Sequence, residues 1–163
     1  MTKRVFFSFH YEPDNWRAAQ VRNIRAIEGN VPVSDNDWET VKKGGDAAIE
    51  KWIKEQLNGR SCTVVLVGTN TAGRKWINYE ITESWNSGKG RVGICIHSLQ
   101  DRNERQSSKG ANPFNGFNIK GTPLNSIVKL YDPPYPTSTG VYAYIKQNIA
   151  SWVDEAIAIR NRY

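Results

Sequence analysis

The sequence has few cysteines, few histidines and no long hydrophobic run, and each shortage argues against a class of protein. Two cysteines in 163 residues are too few for a disulfide framework. Both lie in apolar segments, so we expect reduced, buried thiols. Two histidines and two cysteines without metal-ligand spacing argue against a zinc site. The apolar run at residues 5–9 is too short for a signal peptide or a membrane span, so we expect a cytoplasmic protein.

The charge of the chain is positive but dispersed. The formal net charge is +6, yet the lysines and arginines form no basic run and do not alternate with a series of aromatic residues. This pattern argues against nucleic acid as a partner, whereas a mildly positive surface attracts phosphorylated small molecules. The length suits one domain spanning residues 1–163, because no internal repeat or change of composition marks a boundary.

Strand and helix patterns alternate along the chain. The predicted elements are, in order, a strand at 4–9, a helix from Asp14 or Asn15 to Ile27, an edge strand at 31–33, a helix from Asp46 to Leu57, a strand at 62–67, a helix at 76–87, a strand at 92–96, a strand at 127–131 and a helix at 141–159. Such alternation predicts an α/β fold with a mainly parallel five-stranded sheet between two helical layers. We expect residues 99–125 to form an elaborated loop.

Ligands of open parallel sheets bind outside the carboxyl ends of the strands, so chemistry is expected in the loops that follow them. Residues 68–75 have the glycine spacing of a phosphate-binding loop, but Arg74 and Lys75 replace its lysine and hydroxyl residue, so the match is coincidental. His10 and His97 follow apolar strands, where histidines are more often structural than catalytic. No serine lies in a nucleophile-elbow sequence.

The predicted third helix contains the best candidate for chemistry. Ile77, Ile81 and Trp85 fall at helical spacing and form the expected core stripe, with Trp76 and Glu80 as a second stripe beside it. Two interpretations of Glu80 remain open on this pattern. It is either a solvated surface glutamate near the positive end of the helix dipole, or a carboxylate in a cleft beneath an aromatic ring.

Three segments carry a resemblance to a known family. They are RVFFSF at 4–9, Trp76 followed four residues later by Glu80, and KGANPF at 109–114. In this order they resemble the TIR superfamily, and more closely the TIR-like group that includes the B component of the Thoeris anti-phage defence system. The resemblance spans nearly the whole chain and implies a flavodoxin-like fold. Ile77 departs from the commoner TIR pattern, which often has a cysteine after the tryptophan.

The resemblance implies an enzyme that cleaves the bond between nicotinamide and ribose in NAD+, with Glu80 as the catalytic residue. NAD+ would be the substrate, with no cofactor and no metal. The product would be a cyclic ADP-ribose isomer that reaches a separate effector by diffusion. Breaking an N-ribosyl bond builds positive charge on the sugar, which one fixed carboxylate can stabilise. Trp76 would border the substrate.

Further site residues follow from position. Ser8, Phe9 and His10 end the first strand and either line the cleft, with Phe9 as a stacking surface, or have a structural role at the strand end. Trp38 is either a lid residue or a buried anchor. Glu83, one helical turn from the candidate carboxylate, is its rival.

Two other functions remain open. A TIR-like interaction module without catalysis would bind proteins through exposed helix faces and the 99–125 loop, and self-association could complete a cleft shared between copies. A phospho-acceptor switch is disfavoured because the strand at 62–67 does not end in an aspartate.

Overall fold

The computed structural model describes residues 3–29 and 41–163. The elements within these ranges are β1 (Lys3–Ser8), α1 (Tyr11–Arg22), β2 (Ile27–Glu28), α2 (Gly45–Leu57), β3 (Cys62–Val67), α3 (Lys75–Asn86), β4 (Gly90–Cys95), β5 (Asn118–Ile119), β6 (Thr122–Pro123), β7 (Leu130–Tyr131) and α4 (Ser138–Asn161). A short 3-10 turn at Leu124–Ser126 precedes β7. None of the described helices is both long enough and apolar enough to cross a membrane.

Five strands form one parallel sheet in the order β2-β1-β3-β4-β7. The chain therefore moves outward from β1 to β2 and returns to the other side of β1 for β3. This is the flavodoxin-like order, and it places the switch point between β1 and β3. The predicted α/β fold is confirmed. The strands β5 and β6 form a separate antiparallel pair.

The sheet is covered on both faces, which explains its apolar strands. Every residue of β3 and of β4 is buried, and the side chains of β3 alternate between two apolar clusters. The cluster on one face includes residues of α1 and α4. Residues of α3 and α2 belong to the clusters of the other face. Cys62 and Cys95 are both buried and free, in agreement with the expectation from the sequence.

The first helix and the second strand differ from their predicted positions. Helix α1 begins at Tyr11, so Asp14 and Asn15 lie inside its first turns, and it ends at Arg22. Ile27 belongs to β2, because its backbone pairs with Lys3 of β1. Val21, Ile24 and Ile27 are buried, as their apolar spacing predicts, whereas Trp16 of the same predicted stripe is 52% exposed. The spacing was also wrong in assigning all of these residues to one helix. The strand predicted at 31–33 lies outside the described residues.

Smaller differences concern the later elements. Helix α2 starts at Gly45 with Gly44 as its N-cap, so Asp46 is a first-turn residue and not the cap. The loop at 99–125 contains the β5–β6 pair. Strand β7 has only two residues, since Ile127, which caps the 3-10 turn, and Val128 are buried but lie outside the ladder.

The loop at 99–125 is anchored at two points. Arg17 of α1 donates hydrogen bonds to the carbonyl oxygens of Leu99 (2.8 Å) and Arg105 (2.9 Å). Gly110 packs against the backbone after β3 so closely that a Cβ atom there would lie 2.1 Å from the carbonyl oxygen of Gly68. The loop is therefore fixed against the carboxyl end of the sheet.

Candidate functional site

A cleft of about 940 Å³ opens at the carboxyl ends of β1 and β3, where the strand order reverses. Residues 9–12 after β1, Asn70, and residues 72–77 around the start of α3 form much of its lining, with Trp52 of α2 on another side and Glu80 within it. This is the position at which doubly wound sheets bind their ligands, and the volume suits a ligand of nucleotide size.

Glu80 projects from the inner face of α3 and is 8% exposed. The buried residues of this helix are Ile77, Glu80, Ile81 and Ser84, which are spaced as one face of an α-helix, so the glutamate lies in the core stripe itself. Trp85, predicted for that stripe, is only half-buried. Glu80 is therefore not a solvated surface glutamate.

The carboxyl of Glu80 has one hydrogen-bond donor among the described side chains. The hydroxyl of Ser8 donates to its Oε1 atom at 2.9 Å. Burial raises the pKa of the Glu80 carboxyl from its ordinary value of 4.5 to about 8, and the bond from Ser8 acts in the opposite direction. At neutral pH the fold therefore favours the protonated form of this carboxyl.

The residues predicted after β1 occupy different positions. Ser8 is buried and lies behind Glu80, whereas Phe9 and His10 line the cleft. The ring of Phe9 stacks on Tyr11 at 6.2 Å. Burial and then the positive charge of Arg74 lower the pKa of His10, so its imidazole is neutral at pH 7. Its Nδ1 atom is buried and has no hydrogen-bond partner in the described part of the chain.

Trp76 lines the cleft at the start of α3. Its half-buried ring meets Tyr79 edge-on at 5.8 Å and packs against an apolar cluster that includes residues of α2. The ammonium of Lys75 lies 4.9 Å from the centre of the same ring. Trp76 therefore forms part of the cleft wall and joins α3 to α2.

Trp52 and Arg74 are among the lining residues that were not predicted as site residues from the sequence. Arg74 was considered only in the rejected phosphate-loop motif. Both face the cleft. The signal that could have identified Arg74 is its position, because it is the N-cap residue of the helix that bears Glu80. Trp38 lies outside the described residues.

Glu83 does not share the cleft with Glu80. It is half-buried and borders a separate depression formed with residues of α2, and its Oε1 accepts a hydrogen bond from Ser87 at 3.4 Å. The two carboxylates of α3 therefore face different surroundings, and only Glu80 combines burial with a place in the cleft.

A second group of side chains meets at the carboxyl ends of β4 and β7. Cys95, His97 and Asp132 each offer a donor atom, and these atoms lie within 4.8 Å of one another. The sequence analysis dismissed a metal site because no ligand spacing was visible. The overlooked signal is Cys-x-His at the end of a strand, where the turn after β4 keeps the second donor close to the first. The third donor comes from a strand that only the fold brings near.

Comparisons with known proteins agree on one family. The family model described as "Thoeris protein ThsB, TIR-like domain" matches residues 6–101. A protein of Bacillus cereus (strain MSX-D12) that bears the name "Putative cyclic ADP-D-ribose synthase ThsB1" is 40% identical over 137 residues, which cover 81% of this chain and 71% of that relative. The matched range includes the end of β1 and the whole of α3, and thus both residues of the Ser8–Glu80 hydrogen bond.

Proposed function

Because this chain belongs to the TIR-like domain family of the Thoeris protein ThsB, we propose that it cleaves the nicotinamide–ribose bond of NAD+ and closes the product into a cyclic ADP-ribose isomer. The name of the Bacillus cereus relative supports the choice of reaction. The observation that carries the proposal is the buried carboxyl of Glu80, hydrogen-bonded by Ser8, in a cleft of about 940 Å³ at the switch point of the sheet.

The chemistry needs one negative group and a poorly hydrated site. As the N-ribosyl bond lengthens, positive charge develops on the sugar and the nicotinamide leaves as a neutral amine, so no general acid is needed. A carboxylate held against the sugar stabilises this charge more strongly in a buried cleft than in water. Glu80 lies in such a poorly hydrated site, since it is 8% exposed and faces the cleft.

The ionisation of Glu80 can be coupled to substrate binding. In the empty cleft burial favours the neutral carboxyl, with the pKa at about 8. The nicotinamide ring of NAD+ carries a positive charge, and an opposite charge within a few ångströms favours the carboxylate. Substrate therefore helps to create the anion that acts on it, while Ser8 keeps the ionised group oriented through its hydrogen bond.

Cyclisation requires a second part of the same substrate to be held near the anomeric carbon while water is excluded. Phe9 and Trp76 offer aromatic surfaces in the cleft, on which the rings of a dinucleotide can stack. Arg74 borders the same space and can pair with a phosphate. The cyclic product would then act as a diffusible signal to a separate effector.

The direct test measures nicotinamide release and cyclic product by mass spectrometry. Wild type would be compared with Glu80→Gln, which preserves the shape of the side chain. Both would be assayed as purified proteins and in nucleotide extracts of expressing cells, with and without phage challenge. We expect the substitution to reduce product at least about a hundredfold, as the loss of a transition-state electrostatic contact does in other enzymes.

Glu83→Gln is the matched control, because it removes a carboxylate from the same helix outside the cleft. It should retain most of the activity. Product formation by Glu80→Gln at the level of wild type would disprove the proposed role. Partner binding or phage defence that persists in Glu80→Ala would instead favour the non-catalytic interaction module.

A further inference from the structure

The carboxyl ends of β4 and β7 bring together three metal-binding side chains that the proposed reaction does not use. The register pairs Ile94 with Tyr131, so the next residues along the two strands, Cys95 and Asp132, are neighbours. His97 lies in the turn after β4, two residues beyond Cys95, and its donor atom is within 4.8 Å of those of Cys95 and Asp132. None of the three belongs to the lining of the cleft at Glu80.

From this arrangement we propose that Cys95, His97 and Asp132 form a binding site for one zinc-class divalent metal ion. A thiolate, an imidazole and a carboxylate are the three ligand types that zinc takes in proteins, and the sulfur and nitrogen donors disfavour magnesium and calcium. Three protein donors leave a fourth position open for water or another small ligand.

The geometry requires only a modest contraction. Donor atoms of a tetrahedral zinc site lie about 3.5 Å apart, given bond lengths of about 2.0 to 2.3 Å. The three donors here are within 4.8 Å of one another without an ion. Cys95 and His97 sit on a fixed backbone, because Ser107 donates a backbone hydrogen bond to the carbonyl oxygen of His97 at 2.8 Å. Asp132 is exposed and can move toward them.

Two further contacts bear on the site: a histidine nitrogen that is unpartnered among the described residues favours it, and a lysine ammonium competes with the ion. His97 is 9% exposed, and its Nδ1 atom is buried without a hydrogen-bond partner in the described ranges. Buried polar atoms are normally paired, so this nitrogen is available to bind a metal ion. Asp132 in turn pairs with the ammonium of Lys109 at 3.1 Å, so a positive charge already lies beside the cluster. The metal ion would replace this ammonium as the cation next to Asp132.

The test is zinc binding to the purified full chain, measured by competition with a chromophoric chelator. Wild type should bind one Zn²⁺ per chain, and Asp132→Asn should bind at least about tenfold more weakly. Because Asp132 is exposed, this variant leaves the core intact. Lys109→Met removes the competing ammonium and should bind several times more tightly, whereas equal or weaker binding would overturn the assignment.

Cobalt binding tests whether the thiolate of Cys95 is a metal ligand. Co²⁺ should give a thiolate charge-transfer absorption in wild type that Cys95→Ser loses. Cys62→Ser is the matched control, since this second buried cysteine lies five positions along β3 from the neighbour of Cys95, roughly 16 Å away. No stoichiometric binding by wild type, or an absorption that disappears with Cys62→Ser and persists in Cys95→Ser, would refute the site.

Discussion

Replacing Glu80 by glutamine should remove a pH-dependent cost of folding. The fold raises the pKa of the carboxyl from 4.5 to about 8. At about 1.36 kcal/mol for each tenfold change in the dissociation constant, the folded state opposes ionisation by about 4 to 5 kcal/mol. Below the lower pKa both states are protonated and wild type bears no cost. As pH rises toward the upper pKa, the unfolded chain has lost a proton that the folded protein keeps, so the free energy of unfolding falls.

Urea denaturation of wild type and Glu80→Gln at a series of pH values measures this effect. The stability of wild type relative to the variant should decrease by about 1.4 kcal/mol per pH unit between about pH 5 and pH 8, then level off. Taking the difference cancels the other titrating groups. Ser8→Ala removes the bond that favours the ionised form, so the decrease should continue to higher pH.

A difference that stays constant over this range would refute the reasoning. It would mean that the carboxyl ionises as it does in water, and the electrostatic argument for the cleft would then fail as well. The measurement needs no substrate, so it separates the environment of Glu80 from the question of catalysis.

Three further outcomes are expected. The kcat/KM for NAD+ should rise about tenfold per pH unit up to about pH 8, because the ionised form of Glu80 is the active one, and initial-rate assays would show the plateau. Arg17→Met should lower the free energy of unfolding in urea by about 3 kcal/mol, since it leaves the buried carboxylate of Asp14 without the guanidinium that lies 3.2 Å away. Gly110→Ala should cost about 2 kcal/mol in thermal unfolding, because its new Cβ meets the carbonyl oxygen of Gly68.

The elements predicted best from the sequence are those whose burial is uniform. Strand β3 was placed to the residue at 62–67 because a strand covered on both faces is an unbroken apolar run. The end of α1 was not, because Ile24 and Ile27 continue the spacing of a helix although they lie in the connection after α1 and in β2. Spacing identifies buried residues, whereas pairing with β1 decides their conformation.

The candidate site shows the same contrast between what local sequence predicts and what only the fold determines. The spacing left Glu80 open between a solvated glutamate and a cleft carboxylate, and the family resemblance selected it. Its burial becomes visible in the structure, where it shares one helix face with Ile77, Ile81 and Ser84. The group at Cys95 could not be found. Its third member, Asp132, becomes a neighbour only because β7 pairs with β4, and strand order is not written in local sequence.

Arg17 holds the first helix and the start of the long loop together as one rigid part of the structure. Its guanidinium is buried. Separating the two segments would remove the hydrogen bonds from this charge to the carbonyl groups of Leu99 and Arg105. Tyr11 and Glu12 of the same helix border the ligand cleft, while the loop does not. A protein bound to the outer surface of the loop would therefore be coupled rigidly to one wall of the cleft, without touching the ligand.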